Sequence, residues 1–164
     1  MLICRFLDPE QFESLARPLF DILADNMTKI APTGCTREED FALWHSSMLE
    51  NLQSDERCIL LAEQDGCLVG YLQYSLRGDT LLMEEIEIRE DTQGKGVFRA
   101  LYSALLPAVG DRALYTEAYA NKANQKSIGI LGKLGLTVIG ENKSGRSWHF
   151  RGTMAALRAW HAQK

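Results

Sequence analysis

The chain has 164 residues, enough for one domain with a sizeable core, and its 46% hydrophobic and 24% charged residues fall in the range of soluble globular proteins. A net charge of −4 and a pI near 5.4 argue against a protein that coats a polyanion, so nucleic acid is not the expected partner. The four cysteines form no CxxC pair or Cys/His metal spacing, no basic-then-apolar leader opens the chain and no run approaches a membrane span; reduced thiols, no metal, no membrane and a cytoplasmic location are expected.

Residues 2–7 read as a short strand. Asp8-Pro9-Glu10-Gln11 then offers a helix N-cap, a proline at the first helical position and a capping-box Gln. Phe12, Leu15, Ala16, Leu19, Phe20 and Leu23 keep helical spacing to about residue 25, and Asn26 to Cys35, with Pro32-Thr33-Gly34, reads as a loop. Thr36-Arg37-Glu38-Glu39 is a second capping box. It opens a helix with Phe41, Trp44, Met48 and Leu52 on one face.

From Arg57 the pattern changes. Cys58 to Ala62, a turn at Asp65-Gly66, Cys67 to Tyr74, a turn at Gly78-Asp79 and Leu81 to Arg89 predict a three-strand antiparallel meander. After Gly96 a helix follows, with Val97, Leu101, Ala104, Leu105 and Ala108 on one face, and Gly110-Asp111 opens a strand from Arg112 to about Tyr119. Asn124 to Leu134 reads as a further helix, with Gly135 placed for a left-handed C-cap. Leu136 to Ile139 and Trp148 to Met154 are the last two strands, and Ala155 to Trp160 a short terminal helix. No repeat, low-complexity tract or linker interrupts the chain, so residues 1–164 are expected to form a single α/β (α+β) domain with a mixed sheet.

The segment Gln93-Gly94-Lys95-Gly96-Val97-Phe98-Arg99, between a strand and a helix, is a candidate anion site. Glycines let the backbone approach a phosphate, and the first N–H groups of the following helix have no partner within the helix. This segment resembles the Q/R-x-x-G-x-G/A pattern of the GCN5-related N-acetyltransferase (GNAT) superfamily. The resemblance extends to Ile86-Glu87-Ile88 upstream, and to Asn124-Gln125-Lys126-Ser127 and Lys133-Leu134-Gly135-Leu136 downstream.

The resemblance implies a mainly antiparallel central sheet flanked by helices, and acetyl-CoA as co-substrate. Its pyrophosphate would rest on the backbone N–H groups of Gln93, Gly94, Lys95, Gly96, Val97 and Phe98, and its pantetheine would pair with Ile86, Glu87 and Ile88 like an added strand. Arg99, with Lys95, Lys122 and Lys126, is a candidate for phosphate charge, and Asn124 and Ser127 are further candidate cofactor contacts. Phe98 stands where the pattern prefers Gly or Ala, so its side chain is expected to turn toward the core or along the helix. Leu131 stands where many members carry a tyrosine that protonates the departing thiolate.

The acceptor implied is a small-molecule or peptide amine. An amine of pKa ~10.4 is only ~0.1% neutral near pH 7.4, a deficit of about 4 kcal/mol in nucleophile, so a base matters more than an acid for a thiol of pKa ~8.5. Glu84 is the first candidate base and Glu85 the second. Strict alternation places Glu85 and Glu87 on one face and Glu84 on the other, unless a bulge intervenes. Tyr119 is a candidate replacement for the missing acid, and a strand N–H near Ile88 for the oxyanion site. His45, His149, His161 and Cys35 receive no catalytic role, and the loop from Asn26 to Cys35 is expected to cover the substrate. Direct acetyl transfer by a monomer or homodimer is the leading reading; an acyl-CoA-binding or regulatory module with weakened catalysis, and a toxin acting on aminoacyl-tRNA, are the alternatives.

Overall fold

The computed structural model describes residues 1–53 and 57–164, and a seven-stranded sheet organises them. In chain order the elements are β1 (Leu2–Phe6), α1 (Phe12–Met27), α2 (Arg37–Leu52), β2 (Arg57–Gln64), β3 (Cys67–Arg77), β4 (Thr80–Ile88), α3 (Val97–Val109), β5 (Tyr115–Asn121), α4 (Gln125–Lys133), β6 (Thr137–Glu141), β7 (Ser147–Thr153) and α5 (Met154–Ala162). The strands lie in the order β1-β2-β3-β4-β5-β7-β6. Every neighbouring pair is antiparallel except β4 and β5, whose parallel pairing requires a crossover, supplied by α3. The sheet is therefore mixed and mainly antiparallel.

Two apolar layers follow from strand alternation. On one face Leu60, Leu72, Leu81, Ala118 and Phe150 pack with Leu101, Tyr102 and Leu105 of α3, Leu131 of α4 and Leu157 of α5. On the other, Ile59, Leu61 and Tyr71 pack with Phe12, Ala16 and Leu19 of α1 and Met48 of α2. Phe41 and Trp44 close this second layer against Phe20, at ring separations of 5.3 and 5.6 Å, so the aromatic face of the second helix is core packing. α1 runs through Pro18. Burying Phe12, Ala16, Leu19, Phe20 and Ile22, at about 1.5–3 kcal/mol for each large side chain, outweighs the roughly 3 kcal/mol cost of an interior proline.

Several expected boundaries move, each for a local reason. The capping box at Thr36 and Glu39 forms with both reciprocal bonds. That at Asp8 does not: the Asp8 carboxylate accepts from the Glu10 N–H within a 3₁₀ turn, Pro9–Gln11, while the Gln11 side-chain oxygen Oε1 accepts from Arg5 at 2.9 Å. The strand expected from Arg112 begins at Tyr115. Arg112 closes the C-terminal end of α3 by donating to the Val109 and Ala108 carbonyls, and the Asp79 carbonyl then accepts the N–H groups of Leu114 and Tyr115. α1 extends to Met27, so Asn26 and Met27 are helical, in place of the loop expected from Asn26.

Gly70 fixes how closely β3 approaches β4. A Cβ there would meet the Glu87 carbonyl oxygen at 2.9 Å and Val97 Cγ1 at 3.3 Å, and a backbone oxygen cannot swing away as a side chain can. Gly70→Ala is expected to cost about 1–3 kcal/mol, the usual range for overpacking, read as a lowered urea midpoint. An unchanged midpoint contradicts the tight approach of these strands.

Candidate active site

The parallel pairing of β4 with β5 covers Thr80 to Met83 against Tyr115 to Ala118 and then stops. Beyond Met83, β4 continues to Ile88 on β3 alone, while β5 continues to Asn121 on β7. The two strands fork, leaving an unpaired main-chain edge on each prong. Its orientation on β4 follows from neighbouring contacts. The Glu87 carbonyl faces Gly70 and the Arg89 N–H bonds the Val69 carbonyl, so the main chain of Glu87 and Arg89 points at β3, and that of Ile86 and Ile88 points into the fork.

The open edge leads to the glycine segment. A 3₁₀ turn, Glu90–Thr92, ends in Gln93, and Gly94 and Gly96 follow with φ of 74° and 86°, conformations that penalise any side chain. The N–H of Lys95 bonds to Thr92. Among the described residues, no acceptor takes the N–H groups of Gly94, Gly96, Val97, Phe98 or Arg99. These unpartnered donors at the N-terminus of the 13-residue α3 make an anion cradle.

The side chains around the cradle divide the roles expected of them. Gln93 donates to the Ile88 carbonyl at 3.0 Å and accepts from Lys126 of α4, so it staples the loop to β4 and brings one ammonium beside the cradle. Lys95 is exposed at the loop tip. Arg99, a candidate for phosphate charge on sequence grounds, points to the end of the chain. Its guanidinium stacks 4.7 Å from the Trp160 ring centre and donates to the His161 and Gln163 carbonyls at 2.6 and 2.8 Å, so its charge serves the end of α5. Lys122 is likewise held by Glu141 and the Trp148 ring. Phe98 packs on Tyr102 and Trp160, at 5.0 and 5.8 Å, away from the free N–H groups. Asn124 caps α4 by accepting the Ser127 N–H, and the two stand at the fork's far side.

The carboxylates sit on the near prong. Gln73 pairs with Glu85 and Tyr74 with Met83, so Glu84 is the extra residue of a β-bulge. The Glu84 carboxylate lies 3.2 Å from Arg57, which shares the face of Ile59 and Leu61 under α1 and α2. The bulge thus brings Glu84 to the side of Glu85 and Glu87, and the strict alternation breaks at this residue. Burial, then the neighbouring Glu87 and Glu84, holds the Glu85 carboxyl well above the usual carboxylate range. Burial raises Glu87 too, while hydrogen bonds from Glu85 and Asn26 draw it back. Both carboxyls are thus drawn toward their neutral forms, Glu85 the more strongly. Glu85 is half-buried; Glu87 is 8% exposed and is reached from α1 by Asn26. Tyr71, whose buried hydroxyl has no partner among the described residues, stands beside both.

On the far prong Tyr119 is the first residue after the last parallel pair. It is 48% exposed and stacks on His149 at 4.4 Å, on the same face as Glu117, which pairs with Arg151 at 2.9 Å. Leu131 is buried in the α3 layer, and no acid replaces it there. Asn26, Arg57 and Tyr71 escape the sequence reading. Their proximity to β4 depends on sheet register and on the seating of α1, and nothing local in the chain encodes either. A cavity of about 560 Å³ beside Asn26 is lined by Ile22, Asp25, Lys29, Arg89, Glu90 and Asp91. Among the described residues no three His, Cys, Asp or Glu side chains are grouped to hold a metal ion, and no helix is long and apolar enough to cross a membrane.

A sequence model described as the acetyltransferase (GNAT) family matches residues 16–136. A mycothiol acetyltransferase from Actinosynnema mirum is 29% identical over 153 residues, which are 92% of this chain and 46% of that protein; the chain spans about half the length of this curated relative. The fold resembles an acetyltransferase from Thermus thermophilus, with a TM-score of 0.72 at 20% identity over 94% of this chain and 97% of that one. It also resembles the PaiA N-acetyltransferase of Thermoplasma acidophilum in complex with coenzyme A, with a TM-score of 0.68 at 15% identity over 93% and 99%.

The commitment of Arg99 to α5 is testable. Arg99→Gln is expected to lower stability by about 1–2 kcal/mol, the loss of charge-assisted bonds to two carbonyls, while changing coenzyme A affinity by less than about threefold. Thermal unfolding and calorimetric titration read the two effects. A large loss of affinity without loss of stability contradicts this placement.

Proposed function

The chain belongs to the acetyltransferase (GNAT) family, and on that premise we propose that it moves an acetyl group from acetyl-CoA to an amine by direct attack, with no covalent enzyme intermediate. The observation that carries this reading is the fork between β4 and β5 running into the unpartnered N–H groups of the glycine segment. The pyrophosphate is assigned to the N–H groups of Gly94, Gly96, Val97 and Phe98, with Lys126 adding charge. Pantetheine pairs with the main chain of Ile86 and with the N–H of Ile88, whose carbonyl is already taken by Asn26 and Gln93, so the thioester reaches the bulge at Glu84 and Glu85.

The acceptor approaches from the face that carries the carboxyls. Glu85 takes the proton from the amine, its carboxyl drawn toward neutrality by burial and by Glu87. Glu84, the first candidate on sequence grounds, is assigned a supporting place, because taking a proton would forfeit its ion pair with Arg57. Attack forms a carbon–nitrogen bond and places negative charge on the carbonyl oxygen, which a β4 main-chain N–H beside the bulge stabilises. Collapse breaks the carbon–sulfur bond, and Tyr119, across the fork from Glu85, gives its proton to the thiolate.

A raised carboxyl pKa sets the pH dependence. Below it Glu85 is protonated and the base is lost, so the rate falls with falling pH, with the acid limb above the ordinary glutamate value of ~4.3. The buried Leu131 favours a second reading, an acyl-CoA-binding module with little turnover. Thiol release across an amine panel separates the two. Glu85→Gln is expected to lower kcat by roughly 10²–10⁴ with coenzyme A affinity retained, and Glu84→Gln to lower it less while costing stability. An undiminished Glu85→Gln rate removes Glu85 as the base; coenzyme A binding with no thiol release above hydrolysis in the parent protein selects the second reading.

A further inference from the structure

One side chain connects the carboxyl pair to the donor loop. The Asn26 amide nitrogen, one residue before the end of α1, donates to Glu87 Oε2 at 2.7 Å and to the Ile88 carbonyl at 3.0 Å. That carbonyl also accepts from Gln93 at 3.0 Å, and Gln93 in turn accepts from Lys126. A continuous polar strap thus crosses from α1 over β4 to the glycine segment and α4. It passes the mouth of the fork, where both substrates are proposed to meet.

We infer that Asn26 is a positioning residue: it fixes the Glu87 carboxylate beneath Glu85 and, through the Ile88 carbonyl, ties that carboxyl pair to the donor loop. This rests on the acetyl-transfer reading. An amide N–H donated to a carboxylate favours the ionised form, so Asn26 lowers the cost of charge on the covered Glu87, a donor that Glu85 lacks among the described residues. With Glu87 held by Asn26, Glu85 in its ionised form takes the proton that the amine gives up on attack.

The other groups around the pair are accounted for. Tyr71 of β3 faces both carboxyls, and Glu84 faces them from β4 with its charge held by Arg57 of β2. Along the cavity beside Asn26 the charges are matched, Lys29 with Glu90 at 2.8 Å, Arg89 with Asp91 at 2.6 Å and Asp25 with Arg37 at 3.0 Å. Asn26 is the neutral donor that reaches Glu87 from α1.

The test is a titration of the glutamate carboxyls by ¹³C NMR in the full chain, with calorimetric titration of coenzyme A, for the parent, Asn26→Ala and Asn26→Asp. Removing the donor disfavours the ionised form, so the Glu87 titration is expected to move up by about half to one pH unit in Asn26→Ala, and at least as far in the near-isosteric Asn26→Asp, whose carboxylate adds repulsion. Coenzyme A affinity is expected to fall roughly threefold to tenfold. A Glu87 titration unmoved in both folded variants overturns the assignment, and unchanged affinity overturns the link to the donor loop. The titration needs no turnover. A shifted Glu87 with an undiminished Glu85→Gln rate would therefore refute the base while leaving the role of Asn26 intact.

Discussion

Four parallel pairs join β4 to β5, and past Met83 and Ala118 the two strands part. Backbone N–H and C=O groups left on a strand edge cost free energy unless something satisfies them, so a sheet that splits in its middle makes room for a main-chain-like partner. The rest of the site is arranged around that split. One prong carries Glu84, Glu85 and Glu87, the other carries Tyr119, and the near prong runs on into a helix N-terminus with free donors. The mainly antiparallel remainder of the sheet, packed by α1 and α2 on one face and by α3, α4 and α5 on the other, holds the prongs apart.

The bulge at Glu84 is the second constraint. Without it the three carboxylates would divide between the two faces; with it they share one. Crowding like charges under a helix is unfavourable, and the structure meets it with separate devices. Arg57 neutralises Glu84, the Glu85 carboxyl is drawn toward its neutral form, and Asn26 supplies the donor that a buried carboxylate needs.

How much of this is legible in the sequence differs by element. The Thr36–Glu39 capping box, the positive φ of Gly94, Gly96 and Gly135 and the apolar face of α3 are local, set by a few adjacent residues, and the chain announces them. The glycine segment was readable for the same reason. The fates of Arg99 and Glu84 were not. Arg99 faces α5 because residues some sixty positions later pack on α3, and Glu84 meets Arg57 because β4 carries one extra residue against β3. Such long-range register leaves no periodic trace. Asn26, which looked like a loop residue, becomes helical through contacts with β4 that only the assembled sheet provides.

The central claim is that the fork and the glycine segment together hold the acyl donor. Amide chemical shifts followed by ¹⁵N NMR during titration with coenzyme A test it most directly. The account predicts the largest changes at Gly94, Gly96, Val97 and Phe98 and along Ile86 to Ile88, with those of β1 and β2 unmoved. Changes centred elsewhere, for example on the cavity beside Asn26, with the glycine-segment amides unperturbed, would contradict it.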